Sequence, residues 1–447
     1  MRALVFVIVA ASTALAQTPD AGLPAPAPAA PVAAAPVAAA PVAAAPAPRP
    51  LRLAELQAAV AASGADAWLF TDWRGQDELA ARLLGLTAET RLARWWYLVP
   101  ATGTPKKLVH STEAHALDAL PGAARSYGSW RERDRELATL LAGARTVAMD
   151  YAPNGELPEV GHVDAGTVEL VRAKGPKVVS SAEALSRYEG TLTPAQLTAQ
   201  NDAAAALGKL VDAALALAAD KARVGPPLTE RELSDWLAAQ LGGAGFVSSF
   251  PPYVAVNANA ADARYVASAA GSAPLARGAL LVVGAAAKRS GADDAYADVS
   301  RTAWLGESPP YAQARAYAAA TKAREAVLSL LRTRLARGAD VTGAELDDAA
   351  HASMRADGLD AAFVGRTGHS LGRERFGDGA NLDDVDARDT RKLVAPSCFT
   401  VEPSAAFTGK FAVRAAVDVC LVPGAGRKVS VVVPGAPPPA DLPLLLK

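Results

Sequence analysis

The sequence lacks an excess of charge of either sign, and beyond its first residues it lacks a long apolar run. Lysine and arginine number 45 and aspartate and glutamate 46, so the formal net charge is −1. Proteins that bind a polyanion usually carry a basic excess, so we expect no nucleic-acid partner. A membrane-spanning helix needs roughly 20 apolar residues, and no segment after the N-terminus offers them. We therefore expect no membrane span once the N-terminal segment is removed.

Cysteine is also scarce, with 2 residues in the whole chain and neither near the N-terminus. The opening stretch, MRALVFVIVAASTALA, begins with Arg2, continues with a short apolar run and ends in an Ala-x-Ala triplet. This pattern is typical of a signal peptide cleaved after Ala16, and an uncleaved anchor helix is the alternative. Because no cysteine lies near the cleavage position, the pattern argues against a lipoprotein. We expect an exported protein, periplasmic or secreted, that begins at Gln17.

Changes in composition divide the chain into five segments. After the signal peptide of residues 1–16, residues 17–50 are almost only alanine, proline and valine, which is typical of an extended spacer. Residues 51–190 alternate helical and strand patterns and predict an α/β domain, and residues 191–430 predict a second, α+β domain. Residues 431–447 form a proline-rich tail that we expect to be loose.

The first domain carries no pattern typical of a catalytic site. Its histidines, His110, His115 and His162, are scattered without the spacing of metal ligands, so we interpret them as structural.

Helix-capping signals organise the second domain. Thr193-Pro194 predicts the start of a helix that runs to Gly225, and Thr229 with Glu232 predicts a capping box for the next one. Two long helices are predicted over 310–337 and 342–357. Strands are predicted at PYVAVNA, ALLVVGA, YADVSRTAWLG, SCFTVEPSAAF and GKFAVRAAVDVCLV.

Five stretches of the second domain, in this order, resemble the M24 metallopeptidases: FPPYVAVNANAADARY, YADVSRT, GRTGHSLGRERFGDGANLDD, CFTVEPS and FAVRAAVDV. That family includes aminopeptidase P, prolidase, methionine aminopeptidase and creatinase. The resemblance spans 193–422 and implies an α+β pita-bread C-terminal domain. Residues 51–190 resemble the α/β creatinase-type N-terminal domain of the same family. A shared fold does not by itself imply a shared activity.

The resemblance also implies a metal site, of which only part is retained. Active dinuclear members hold two divalent ions with two aspartates, one histidine and two glutamates, and the ions activate a bridging water. Three of these positions keep their ligand and two have lost it. The retained residues are Asp298, His369 and Glu402, while Gly284 stands at the first aspartate position and Ala416 at the second glutamate position.

Two further histidines of the family, which contact the substrate, are also replaced. Arg264 in DARY stands for one of them and Phe376 in RERFGDG for the other. A shifted alignment does not restore the site, because residues 282–292 contain no carboxylate and the only histidines after His162 are His351 and His369.

The spacing of the last strands predicts their register. A hairpin centred near Gly409 places Ala416 opposite Glu402 and Cys398 opposite Cys420. Asp418 is then the one substitute for Ala416, but it lies two residues further along the strand, at roughly 6–7 Å. Cross-strand cysteines lie within disulfide reach, and export permits oxidation. We favour a disulfide over two buried free thiols.

The replaced ligands belong mainly to one of the two metal ions. One ion would keep only Asp298, whereas the second would keep Asp298, His369 and Glu402, so we expect either no metal or one Mn, Zn or Co ion. Without a metal, salt bridges would account for the carboxylates. The candidate pairs are Asp298 with Arg301, Glu402 with Arg414, and Arg264 with either carboxylate.

We therefore expect an exported, catalytically degenerate M24 homologue whose cleft binds a peptide or a partner protein. The alternative is a weakened or mononuclear aminopeptidase that hydrolyses Xaa-Pro peptides. Members of this family are often dimers, so a homodimer is possible.

Overall fold

The computed structural model describes residues 49–86, 93–426 and 428–447. The predicted signal peptide and nearly all of the predicted spacer lie outside the described residues. The described residues form one compact unit. In the described part of the chain, no helix is both long and apolar enough to cross a membrane.

The first domain is a mixed sheet covered by helices. Its first helix ends at Gly64, because Gly64 adopts a left-handed conformation with φ 81°. The strands are β1 (Ala67–Asp72), β2 (Trp95–Pro100), β3 (Lys106–His110), β4 (Ala123–Tyr127), β5 (Thr146–Met149) and β6 (Lys177–Ser180). They run in the order β4-β3-β2-β1-β5-β6, with β1 antiparallel to β2 and parallel to β5. The helices are α1 (Leu53–Ser63), α2 (Glu78–Leu84), α3 (Trp130–Leu140), α4 (Ala165–Arg172) and α5 (Ala182–Tyr188).

Three helices of the second domain begin directly after a threonine cap. Thr193, Thr229 and Thr342 each accept a hydrogen bond from the backbone of the first turn, and a Gln or Glu three residues on completes each capping box. The helices are α6 (Pro194–Arg223), α7 (Glu230–Gly243), α8 (Tyr311–Ala336) and α9 (Gly343–Ala356).

The strands of the second domain form sheets between these helices. One sheet holds β7 (Phe246–Val247), β8 (Tyr253–Val256), β9 (Leu280–Arg289) and β10 (Ala297–Trp304). The other strands are β11 (Ser370–Leu371), β12 (Ser397–Val401), β13 (Ser404–Phe407), β14 (Phe411–Arg414), β15 (Val417–Pro423) and β16 (Val429–Val432). They pair in the order β11-β12-β15-β16, with β13 and β14 as a separate hairpin.

Strands β9 and β10 form a long antiparallel pair in which Asp298 lies opposite Ala286 and Ser300 opposite Gly284. Side chains alternate between the two faces of a strand. The odd-numbered residues, such as Val283 and Val299, are buried in one core with apolar residues of α6 and α7. Asp298 and Ser300 therefore point to the other face.

The last strands adopt the predicted register. Thr400 lies opposite Asp418, and Ser404 lies opposite Arg414, so the hairpin turns at Gly409. In the same register Cys398 pairs with Cys420 and the two form a disulfide with an S–S distance of 2.05 Å.

The prediction of a loose C-terminal tail is wrong. The backbone N–H of Trp304 donates to the carbonyl oxygen of Pro443, and that of Leu445 donates to the carbonyl oxygen of Trp304. The tail therefore pairs with the end of β10. Leu442 and Leu446 are buried. The prolines mark where the tail bends, but these leucines bring apolar surface that packs on the domain.

Candidate active site

The structure brings Asp298, His369 and Glu402 together. The Nε2 atom of His369 lies 3.6 Å from Oδ2 of Asp298 and 3.6 Å from Oε1 of Glu402. The three side chains come from β10, from the residue before β11 and from the residue after β12, so the site forms only when the two sheets face each other.

His369 is fixed in one ring orientation. Its backbone N–H donates to Thr400 Oγ1 at 3.0 Å, and its Nδ1 lies 3.0 Å from the carbonyl oxygen of Ser370. A carbonyl oxygen only accepts, so Nδ1 carries a proton. The buried Nε2 atom then faces the two carboxylates and has no other hydrogen-bond partner among the described residues. It is placed to hold either a second proton or a metal ion.

Arg375 is the cation that contacts Asp298, at 2.7 Å between Nε and Oδ2. The sequence predicted Arg301 or Arg264 in this role, and that prediction is wrong. Arg301 lies 3.3 Å from Asp212 on α6, because it points to the opposite face of β10. Arg264 is exposed, in the turn after β8. The feature of the sequence that could have identified Arg375 is its position directly before Phe376.

The surroundings of Asp298 keep this carboxyl ionised. Burial alone would raise its pKa, but the nearby His369, 3.6 Å away, and the charge of Arg375 outweigh burial and lower the pKa of Asp298 to about 2.

Glu402 has its own arginine. Nη1 of Arg414 lies 3.3 Å from Glu402 Oε2, across the β13–β14 hairpin, as the salt-bridge alternative from the sequence predicted. Thr400 Oγ1 donates to the other oxygen, Oε1, at 3.2 Å. Each retained carboxylate thus has one guanidinium beside it.

Asp418 does not take the place of the missing glutamate. It is buried behind Asp298, where its Oδ2 accepts from Gln200 Nε2 at 2.9 Å and from the backbone N–H of Asp298 at 3.2 Å. Burial, and next the charge of Asp298, raise the pKa of Asp418 well above its usual range. Asp418 therefore lies behind the site and supports β10 through the backbone of Asp298.

Gly284 and Ala416 offer no donor atom, and Gly284 also has no space for a longer side chain. A Cβ atom at Gly284 would lie 2.9 Å from the Cβ of Ser300 and 3.2 Å from the carbonyl oxygen of Val299. Ala416 is buried and has no polar side-chain atom. In the described part of the chain, no group of three or more His, Cys, Asp or Glu side chains is arranged to hold a metal ion. The residues present do not fit a two-metal centre.

Aromatic rings cover the site. Phe376 packs edge-on against His369, with ring centroids 4.7 Å apart, and lies 6.3 Å from Phe250. The guanidinium of Arg375 lies 5.2 Å from the Phe250 ring and 5.3 Å from the Phe376 ring, within cation–π range. Phe376, at a position where the family has a histidine, thus packs on the site but brings no proton.

A cavity of about 290 Å³ is lined in part by Arg414, the arginine that contacts Glu402. Its wall is mostly small and apolar, and its polar groups include the Tyr253 ring and Arg414. Pockets of this size that combine an apolar wall with few polar groups are typical of ligand sites.

Comparison with known proteins places this site in a family. Residues 202–422 match the model of metallopeptidase family M24. A comparison with curated proteins returns no match. Dipeptidase PepE from Mycobacterium ulcerans is 22% identical with a TM-score of 0.58, over 88% of this chain and 97% of that one. The Xaa-Pro dipeptidase from Bacillus anthracis is 18% identical with a TM-score of 0.51, over 88% and 98%.

A third structure is the X-prolyl aminopeptidase from Caenorhabditis elegans, a cytosolic enzyme with a di-nuclear active site. It is 16% identical with a TM-score of 0.56, over 86% of this chain and 61% of that one. These structural similarities establish the fold. It is the creatinase-type pita-bread fold that the sequence predicts, preceded by the α/β domain. Through its second domain, the chain belongs to metallopeptidase family M24.

Proposed function

We propose that this M24 protein has lost two-metal peptidase chemistry and retains a cleft that binds peptides. The observation that carries the proposal is the pairing of Asp298 with Arg375 and of Glu402 with Arg414. In a dinuclear centre the carboxylates balance two divalent ions, which activate the water. Here two fixed guanidinium charges balance the two carboxylates that remain.

The groups that move protons are missing as well. Removing one preorganised donor from an active site typically costs about 10²–10³ in rate. Arg264 is exposed and Phe376 has no titratable group, so neither replaces a histidine. We infer that hydrolysis is lost or very slow.

The cavity lined by Arg414 and Tyr253 supports a binding role. It is large enough for an apolar side chain or a proline ring, and Tyr253 and Arg414 offer polar contacts to a peptide backbone. The structural neighbours include a dipeptidase and an Xaa-Pro dipeptidase, so we propose a ligand peptide with proline near its N-terminus. We further propose that the protein acts after export, in the periplasm or the medium, where a partner protein with such a terminus is an alternative ligand.

One observation favours a second candidate, a weakened aminopeptidase with one metal ion. The Nε2 atom of His369 is buried between two carboxylates and lacks a hydrogen-bond partner in the described residues. Asp298, His369 and Glu402 would hold one Mn, Zn or Co ion, which would supply a Lewis acid and an activated water.

The proposal is tested by measuring peptide binding and peptide hydrolysis on the same protein. The chain from Gln17 onward is titrated with Xaa-Pro peptides by calorimetry, and hydrolysis is assayed with added Mn, Zn or Co. We expect binding without turnover. Ala406→Trp, which fills the cavity, should abolish binding, whereas Ala425→Trp on an exposed turn should not. Turnover that disappears in Asp298→Asn would contradict the proposal and support the one-metal enzyme.

A further inference from the structure

The cavity lined by Tyr253 and Arg414 suits small apolar residues. Five alanines and three valines form most of its wall, together with a serine and a threonine. The hydroxyl of Tyr253 donates to the carbonyl oxygen of Ala260 at 3.4 Å, which holds the aromatic ring against this wall. Among the residues that line the cavity in the described part of the chain, only Arg414 carries a charge. The cavity therefore favours an uncharged ligand with small apolar side chains.

The chain itself carries a segment of this composition. Residues 17–48 contain nine prolines, seven of them directly after an alanine, and Asp20 is their one charged residue. Proline fixes its own φ and restricts the residue before it to extended backbone. Proline-rich peptides therefore dock against aromatic walls at a low cost in conformational entropy. The segment offers seven copies of the Xaa-Pro unit that the proposed function assigns to the ligand.

The segment ends at a fixed point within reach of the cavity. Nη2 of Arg49 lies 2.5 Å from Glu189, and its Nη1 lies 3.1 Å from Asp293. Asp293 follows β9, whereas Val282 of the cavity wall lies near the start of that strand, so roughly 25 Å separates the two. A chain of 32 residues spans roughly 30 Å as a random coil and about 100 Å when fully extended. Residues 17–48 are therefore long enough to enter the cavity of their own molecule.

We propose that residues 17–48 are an internal ligand of this cavity and occupy it through an Ala-Pro unit. The inference rests on the proposed binding of peptides, and it names the chain's own N-terminal segment as the partner. The proline ring packs on Tyr253 and on the small apolar wall, and the preceding alanine adds only a methyl group. A peptide from outside must displace the segment, so the segment regulates which ligands bind.

Attachment to the same chain makes even a weak interaction effective. A short tether holds its ligand at an effective concentration on the order of 1 mM. If the free segment binds with a Kd of about 10–100 μM, the tethered segment weakens the apparent affinity of a competing peptide about 10- to 100-fold. A difference of this size is readily measured.

The test compares peptide binding by the wild-type chain from Gln17 onward and by a variant in which serine replaces the proline of each Ala-Pro pair. Serine is small and uncharged, but it removes the Xaa-Pro units. The probe is the tripeptide Ala-Pro-Ala, titrated into each protein by calorimetry. We expect the variant to bind the probe about 10- to 100-fold more tightly, because the probe no longer competes with the segment.

A matched control replaces seven alanines of the segment that do not precede a proline with serine. It keeps every Ala-Pro pair and should bind the probe as the wild type does. Equal affinity of all three proteins would overturn the internal ligand and leave the proposed function intact. If none of the three bound the probe, the proposed function and this inference would fail together.

A second measurement follows the segment itself in the full chain. An endopeptidase that cuts after alanine should cleave residues 17–48 more slowly in the wild type than in Ala406→Trp, in which the cavity is filled. Ala425→Trp, on an exposed turn, should be cleaved at the wild-type rate. Equal cleavage of the wild type and Ala406→Trp would contradict the proposal. Protection that increases with protein concentration would assign the ligand to a second copy and would contradict binding within one molecule.

Discussion

Gly284 lies so close to Ser300 on the neighbouring strand that a Cβ atom built on it would come within 2.9 Å of the Ser300 Cβ. The two residues face each other directly across β9 and β10. If Gly284 stands at the first aspartate position, as the resemblance implies, the space for that side chain is missing as well. Restoring one residue will not restore the site.

Gly284→Asp should destabilise the protein and should not create a metal site. Overpacking typically costs about 1–3 kcal/mol, and a carboxylate buried without a partner adds to that cost. Urea unfolding of Gly284→Asp and of the control Gly284→Ala separates the two effects, because the control adds only the Cβ atom. Bound metal in Gly284→Asp alone would show that β9 adapts more easily than this packing implies.

The disulfide between Cys398 and Cys420 should contribute measurably to stability. It joins β12 to β15 with 22 residues of separation, so in the unfolded chain it closes a loop. Loop closure of this size is worth about 3 kcal/mol. Cys398→Ala with Cys420→Ala should lower the free energy of unfolding by that amount, and a reducing agent should have no further effect on this variant. Two free thiols in the unreduced, unfolded wild type would contradict the pairing.

A buried carboxyl pair in the first domain should make stability depend on pH. Asp150 accepts hydrogen bonds from Trp68 Nε1 at 3.0 Å and from Ser181 Oγ at 2.6 Å, and it lies beside Asp77. Burial raises the pKa of Asp77 to about 6, although a hydrogen bond from Ala80 and the nearby His162 act against that rise. Burial and the charge of Asp77 also raise the pKa of Asp150.

The direction of the pH dependence follows from which state, folded or unfolded, binds the proton more tightly. The folded state binds the shared proton above the pH at which the unfolded chain releases it, so this contribution to stability is complete below about pH 4. It is lost as the pH rises from about 4 to 6, and the loss amounts to about 3 kcal/mol. Asp150→Asn carries hydrogen-bond donors that do not titrate, so its stability should fall less over this range. Equal pH profiles for the two proteins, measured by urea unfolding, would refute the pairing.

The C-terminal tail should be part of the folded domain. Leu446 is 3% exposed and packs in the core of α6, α7 and β9. Leu446→Ala should therefore lower the free energy of unfolding by about 2–5 kcal/mol. Leu445, which packs only partly against the same core, is the matched control and should cost less when truncated. If Leu446→Ala were as stable as the wild type, the result would support a loose tail.

Local signals in the sequence predicted most of the fold. The caps at Thr193 and Thr229 and the turn at Gly409 depend on neighbouring residues, so their positions could be read directly. The motifs also predicted that Asp298, His369 and Glu402 lie close together. The partner of Asp298 could not be predicted in this way. It depends on how the loop 372–379 is held by β11 and by Arg82, which are contacts between distant parts of the chain.

The most direct test of the account is the number of metal ions bound by the wild-type chain from Gln17 onward, after exposure to Mn, Zn or Co and desalting. We predict no bound ion, because Arg375 and Arg414 already balance Asp298 and Glu402. One equivalent would support the weakened one-metal enzyme. Two equivalents would contradict the central claim that Gly284 and Ala416 have ended the two-metal chemistry of this family.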